Sequence, residues 1–153
     1  MPVSDKIKAR LVQLEVMPGH PDRNTARIIA AIGEARAAGI QIVVFPELAV
    51  PGYLIGDAWE RPAFLRDCEE YGRTIAASTA GVTAVFGNIA MEWDRRNEDG
   101  RVRKYNALFV ARDGNFLRPE NNRQPFVIKT LLPNYREFDD SRYFYDLRKL
   151  AME

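Results

Sequence analysis

Cysteine and histidine occur once each, as Cys68 and His20, so neither a disulfide framework nor a clustered Cys/His zinc site can be built within these 153 residues. An excess of one charge is missing too: 22 lysines and arginines face 21 acidic residues. No net field therefore draws the chain toward nucleic acid or an anionic membrane, and a small polar partner fits better. No stretch of 18 uncharged apolar residues occurs, and the opening Met1–Lys6 segment has no apolar leader core. These two absences give the expectation of a cytoplasmic protein without a membrane partner. Gly100 and Gly114 stand alone as turn glycines, which leaves neither a dinucleotide fingerprint nor a Walker loop. No serine sits in a nucleophile elbow, and His20, between Gly19 and Pro21, reads as a surface loop residue.

What is present is ample apolar material, 46% of the chain, enough for the core of a single domain over residues 1–153. Ala9 to Val16 reads as a first strand, broken by Pro18, Gly19 and Pro21. From Asp22, a candidate N-cap, to Ala38 the chain places Ile28, Ile32 and Ala35 on one face and stops at Gly39, as an amphipathic helix does. Ile40 to Phe45 is a short β-branched run, the mark of a strand covered on both faces. A second helix is expected over Arg61 to Ser78, where Phe64, Cys68, Tyr71 and Ile75 share a stripe. Three strands follow, Val82 to Trp93, Tyr105 to Arg112 and Phe126 to Leu131, joined by the charged Asp94 to Arg103 connection and the Asp113-Gly114 turn. The order predicts an α/β fold: one mixed sheet with helices on one face, the other face needing cover. The tail from Asp139 to Glu153, aromatic at Tyr143, Phe144 and Tyr145, has no Gly or Pro to close a domain and reads as a chain cut mid-fold.

Two residues are placed where chemistry is usually presented. Glu47 follows a buried-type strand in Phe45-Pro46-Glu47-Leu48-Ala49-Val50-Pro51-Gly52-Tyr53, a position that suits a general base. A glutamate there can equally cap the next turn, and spacing does not decide between the two. Lys129 ends the apolar run Phe126-Val127-Ile128 and would emerge at the same rim, where two opposite charges buried together hold each other ionised. Cys68, the sole thiol, lies inside a helical stripe among Asp67, Glu69 and Glu70, whose charge disfavours a thiolate. It reads as a core residue. The mixed-sign run Asp94 to Asp99 reads as a solvated hairpin tip.

Phe45-Pro46-Glu47-Leu48-Ala49 with Gly52-Tyr53 and Asp57, followed in order by Lys129 and Leu132-Pro133-Asn134-Tyr135, resembles the nitrilase, or carbon-nitrogen hydrolase, superfamily. The series Leu132 to Phe144 is similar to the glutaminase domain of glutamine-dependent NAD synthetases, departing at Arg136 and Glu137 from a common glycine–hydrophobic pair. The resemblance implies part of an α-β-β-α sandwich and a Glu-Lys-Cys triad in which Glu47 is the base and Lys129 the oxyanion stabiliser. It implies too that Tyr53, Tyr135, Phe138 and Asp140 line or gate a pocket for glutamine. The family's nucleophilic cysteine follows the lysine, whereas Cys68 precedes it, so the resemblance implies that this chain alone is inactive. It further implies no cofactor in this segment, and ATP and Mg2+ only in a separate synthetase domain. A sheet cut short, with an unpaired edge strand and an uncovered apolar face, gives the expectation of a homo-oligomer. A free-standing amidase and a non-catalytic interaction module are the competing expectations.

Overall fold

The computed structural model describes residues 6–153; Met1 to Asp5, part of the segment read above for a leader, lie outside the described residues. The chain runs through β1 (Ala9–Leu11), α1 (Pro21–Ala37), β2 (Ile42–Val44), a 3-10 helix (Gly56–Glu60), α2 (Pro62–Ala77), β3 (Thr83–Arg96), β4 (Val102–Arg112) and β5 (Asn115–Phe116). It ends with β6 (Val127–Ile128), β7 (Asn134–Tyr135), β8 (Phe138–Asp139), α3 (Asp140–Tyr143) and α4 (Leu147–Leu150). The main sheet has the order β1-β2-β3-β4-β5, with β6 also on β4 and a separate β7-β8 hairpin. β1, β2 and β3 are parallel, as two strand-helix-strand crossovers require, and β3 to β6 pair antiparallel. The mixed sheet anticipated from the element order is thus present.

Several boundaries differ from the sequence reading for physical reasons. β1 stops at Leu11 because the following chain leaves the sheet: Met17 N–H donates to the Asn24 side chain, whose amide donates back to the Met17 and Val50 carbonyls. Asp22 does not cap α1. The helix opens on Pro21, whose fixed φ suits the first turn, and His20 holds the cap position without a side-chain bond. The strand expected over Phe126 to Leu131 shrinks to two residues facing Ala107 and Leu108. The 3-10 turn and the small C-terminal elements carry no periodicity long enough to read.

Ile28, Ile32 and Ala35 of α1 are fully buried, as are Cys68 and Ile75 of α2, while Phe64 and Tyr71 sit at the edge of that face. α2 packs on β3, β4 and β5, where Phe86 and Phe109 stack at 5.8 Å and Gly72 lies against Asn88 and Phe116. Because side chains alternate along a strand, Gly87, Asn106 and Leu108 face the other way. On that side Leu108 and the neighbouring Val127 are 41% and 48% exposed, so one face of the sheet is sealed by helices and the other is open. The Asp94–Asp99 run is a largely exposed hairpin tip, and His20 is exposed. Among the described residues no helix is long and apolar enough to cross a membrane.

Candidate functional site

Glu47 is carried by a loop that leaves β2 and presses onto β3. Phe45 N–H donates to the Val85 carbonyl, Gly87 N–H to the Pro46 carbonyl and Val50 N–H to the Gly87 carbonyl, so the loop is stitched across Gly87. The approach is so close that a Cβ on Gly87 would stand 2.2 Å from Leu48 N and 2.8 Å from the Glu47 backbone. Glycine inside a strand marks such contacts, a signal the sequence carried and the reading above passed over. Leu48, buried beside Glu47, takes a φ of +46°, a left-handed conformation held in place by its surroundings.

Lys129 arrives from the opposite direction. Its N–H donates to the Asn106 carbonyl at 2.9 Å, which aims the side chain at the same rim. Lys129 Nζ then lies 2.6 Å from Glu47 Oε1 and 3.7 Å from Asp140 Oδ2. Tyr53 stands between the two carboxylates, its hydroxyl 2.5 Å from Asp140 Oδ2 and 3.1 Å from Glu47 Oε1. Phe138 meets the Tyr53 ring edge-on at 5.7 Å, and Tyr135, largely exposed, meets Phe138 at 5.6 Å. All six residues singled out in the sequence therefore gather at one place. Glu47, Tyr53, Lys129, Tyr135 and Phe138 line a common cleft with Leu131, Leu132 and Pro133.

Asn106 was missed. It is 2% exposed, lies inside β4, and its Nδ2 donates to Glu47 Oε1 at 2.6 Å. Asparagine is depleted from strand interiors, and one in the middle of an apolar strand has to find a buried partner; that was the available signal.

The electrostatics separate the two acids. Burial by itself would raise the Glu47 carboxyl, but hydrogen bonds from Lys129 and Asn106 and the lysine charge outweigh it and leave it below the ordinary carboxylate value. Asp140, 3% exposed, is raised by burial and by the Glu47 charge, against the opposing pull of Tyr53 and Lys129. Burial and the adjoining carboxylates hold the Tyr53 phenol protonated. Glu47 is thus an ionised acceptor beside a cation, in a cleft open enough for a small molecule. Cys68 is elsewhere: it is fully buried in α2, its thiol pushed up to about 12 by burial and by Asp67 and Glu69. It cannot act as a nucleophile here. Among the described residues no three His, Cys, Asp or Glu side chains gather as metal ligands.

The family profile described as carbon-nitrogen hydrolase matches residues 8–144. The chain belongs to the carbon-nitrogen hydrolase family. Within that family it is 38% identical over 139 residues to a glutamine-dependent NAD(+) synthetase from Xanthomonas campestris pv. campestris, an alignment covering 90% of this chain and 22% of the relative. A solved glutamine-dependent NAD(+) synthetase from Cytophaga hutchinsonii superposes with a TM-score of 0.74 at 24% identity, over 92% of this chain and 22% of that one. An amidase from Nesterenkonia sp. AN1 superposes with a TM-score of 0.72 at 19% identity, over 95% of this chain and 50% of the amidase. These two likenesses establish the nitrilase-type fold. The chain spans about a fifth of the length of the synthetases it matches.

Proposed function

We propose that this carbon-nitrogen hydrolase chain is the part of a glutaminase domain that supplies the general base, the oxyanion-stabilising cation and one wall of a glutamine pocket. Residues 1–153 on this reading are the N-terminal part of that domain. The observation that carries the proposal is the 2.6 Å Glu47–Lys129 pair at the rim of a cleft, in a chain 38% identical to a glutamine-dependent NAD(+) synthetase. A lone ion pair of this kind is ordinary; one bracketed by Tyr53, Asn106 and Asp140 at a loop-built cleft is a functional constellation.

On this reading the reaction is the one that the family's Glu-Lys-Cys triad implies. Glu47 takes the proton of an attacking thiol as sulfur bonds to the side-chain amide carbon of glutamine, and the carbonyl electron pair moves to oxygen. Lys129 faces that oxyanion; a single such donor typically contributes about 3 to 4 kcal/mol. Collapse expels ammonia, which receives its proton from Glu47, and leaves a thioester. Water, deprotonated by Glu47, then releases glutamate and restores the thiol. Cys68 cannot furnish that thiol, so these 153 residues by themselves do not turn over. Tyr135 and Phe138 gate the cleft, and Tyr53 and Asp140 form its polar wall. In the whole protein the ammonia would feed an ATP- and Mg2+-using amidation of deamido-NAD, with no cofactor held by this segment.

A titration of the 15N-labelled chain with glutamine tests the proposal. Saturable shifts at Glu47, Tyr53, Lys129, Tyr135 and Phe138, without ammonia release, are expected. Equal responses to glutamine and to propionamide would favour the free-standing amidase reading suggested by the amidase-like fold. Ammonia release with a thioester on Cys68, or no response to either amide, would overturn the assignment.

A further inference from the structure

Glu47 has two oxygens, and the structure treats them differently. Oε1 is within hydrogen-bonding distance of Lys129 Nζ at 2.6 Å, Asn106 Nδ2 at 2.6 Å and Tyr53 Oη at 3.1 Å, whereas no hydrogen bond among the described residues reaches Oε2. The three neighbours are not equal donors. Tyr53 has one hydroxyl proton, and Asp140 Oδ2 at 2.5 Å takes it in preference to Glu47. Lys129 has three protons but sits on a flexible stem between Glu47 and Asp140. Asn106 alone is neutral, rigid and buried. Its amide can only present nitrogen to a carboxylate, and it neither accepts nor releases a proton in the working pH range.

Asn106 is also held through its main chain. It pairs with Ile89 in the longest ladder of the sheet, and its carbonyl accepts the Lys129 N–H. One residue therefore holds the carboxylate through its side chain and the lysine-bearing segment through its main chain. We propose that Asn106 is the positioning residue that keeps Oε1 occupied, so that Glu47 accepts and returns its proton through Oε2 alone. This rests on the reading of Glu47 as a general base and adds the identity of the working oxygen. With Oε1 saturated, proton affinity falls on the oxygen that accepts nothing. Turning the carboxylate over exchanges two equivalent oxygens and returns the same bonds, so the position held by Asn106 and Lys129 stays filled and the other stays free.

The test uses the 153-residue chain, by carbon-detected titration of the Glu47 carboxyl together with the Asn106 side-chain NH2 signals. In the unaltered chain the Asn106 NH2 protons should stay hydrogen-bonded while Glu47 protonates, since the proton goes to Oε2. Their release in step with Glu47 protonation would overturn the proposal. In Asn106→Leu the Glu47 midpoint should move up, while the Lys129 main-chain amide keeps its position because the Asn106 carbonyl is unchanged. A folded Asn106→Leu with an unmoved Glu47 midpoint would equally overturn it, since a role confined to strand packing disturbs amides along β4 and leaves that midpoint alone. Should Asn106→Leu not fold, Asn106→Ala, uncharged like asparagine, decides: an upward move of the Glu47 midpoint supports the assignment and none refutes it. Absence of glutamine binding with these titrations as expected would remove the glutaminase reading and leave the Asn106 geometry intact.

Discussion

Two lysine–glutamate pairs lie beside neighbouring positions on the open side of β4. Next to Asn106, Glu47 meets Lys129; two residues earlier in the strand, Lys104 meets Glu60. The first pair is close, 2.6 Å, and partly exposed, with side chains 46% and 27% accessible. The second is looser, 3.4 Å, and its lysine is 1% accessible. In the first, the donors around one oxygen overcome burial and hold the carboxylate below its ordinary value. In the second, burial dominates and lowers the Lys104 ammonium, with Glu60 opposing only in part. Deep burial thus marks the structural pair, and the cleft marks the pair proposed for chemistry. A lysine sealed under a 3-10 helix has no route to a substrate, whatever its titration.

The largest expected effect belongs to the loop that builds the Glu47 pair, with a helical glycine as the control. Gly87→Ala drives a Cβ into the backbone of Glu47 and Leu48, so the loop must lift; a loss of about 3 kcal/mol or more in urea unfolding is expected. Gly72→Ala meets only the Asn88 side-chain amide, at 2.9 Å, and should cost clearly less. Equal costs would show that the Glu47 loop is not held in the way described.

Next in size is the structural pair. Glu60→Ala leaves Lys104 buried without its carboxylate and should cost about 2 to 3 kcal/mol. Lys104→Met removes the charge with it and should be neutral or stabilising. Because the folded-state value of Lys104 lies below its ordinary 10.5, the unfolded chain binds more protons between the two values, and stability from this group rises with pH across that window. Lys104→Met should flatten that rise. An unchanged alkaline limb would mean that Lys104 is not the group responsible.

The smallest effect on stability belongs to the Glu47–Lys129 pair. Lys129→Met should change unfolding free energy by no more than about 1 kcal/mol, since the pair is partly solvated, yet it should move the Glu47 carboxyl upward. Glu47, depressed in the folded state, contributes stability that is present above its ordinary 4.5 and lost as pH falls through the folded value. Asp140, raised when folded, works with the opposite sign and costs stability as pH rises past its ordinary 3.8. Carboxyl titration by NMR separates the two, and a Glu47 midpoint unaffected by Lys129→Met would remove the lysine from the site.

The sequence by itself determined the long elements and the identities of the two charged partners. α1, α2, β3 and β4 are legible because each carries an apolar pattern over eight residues or more, and Ile28, Ile32, Cys68 and Ile75 fall on the faces that the pattern assigned. Glu47 and Lys129 are legible as strand-end charges, and the six named site residues do converge. Only the tertiary structure decided the rest. The Glu47 loop takes its shape from Gly87, 40 residues away, and from hydrogen bonds across β3 that no local pattern encodes. Asn106 becomes a donor to Glu47 only because β4 pairs with β3 in one register and with the Lys129 segment in another. Periodicity is a local property of the chain, whereas a shared oxygen is a meeting of segments 59 and 82 residues apart, fixed by packing alone.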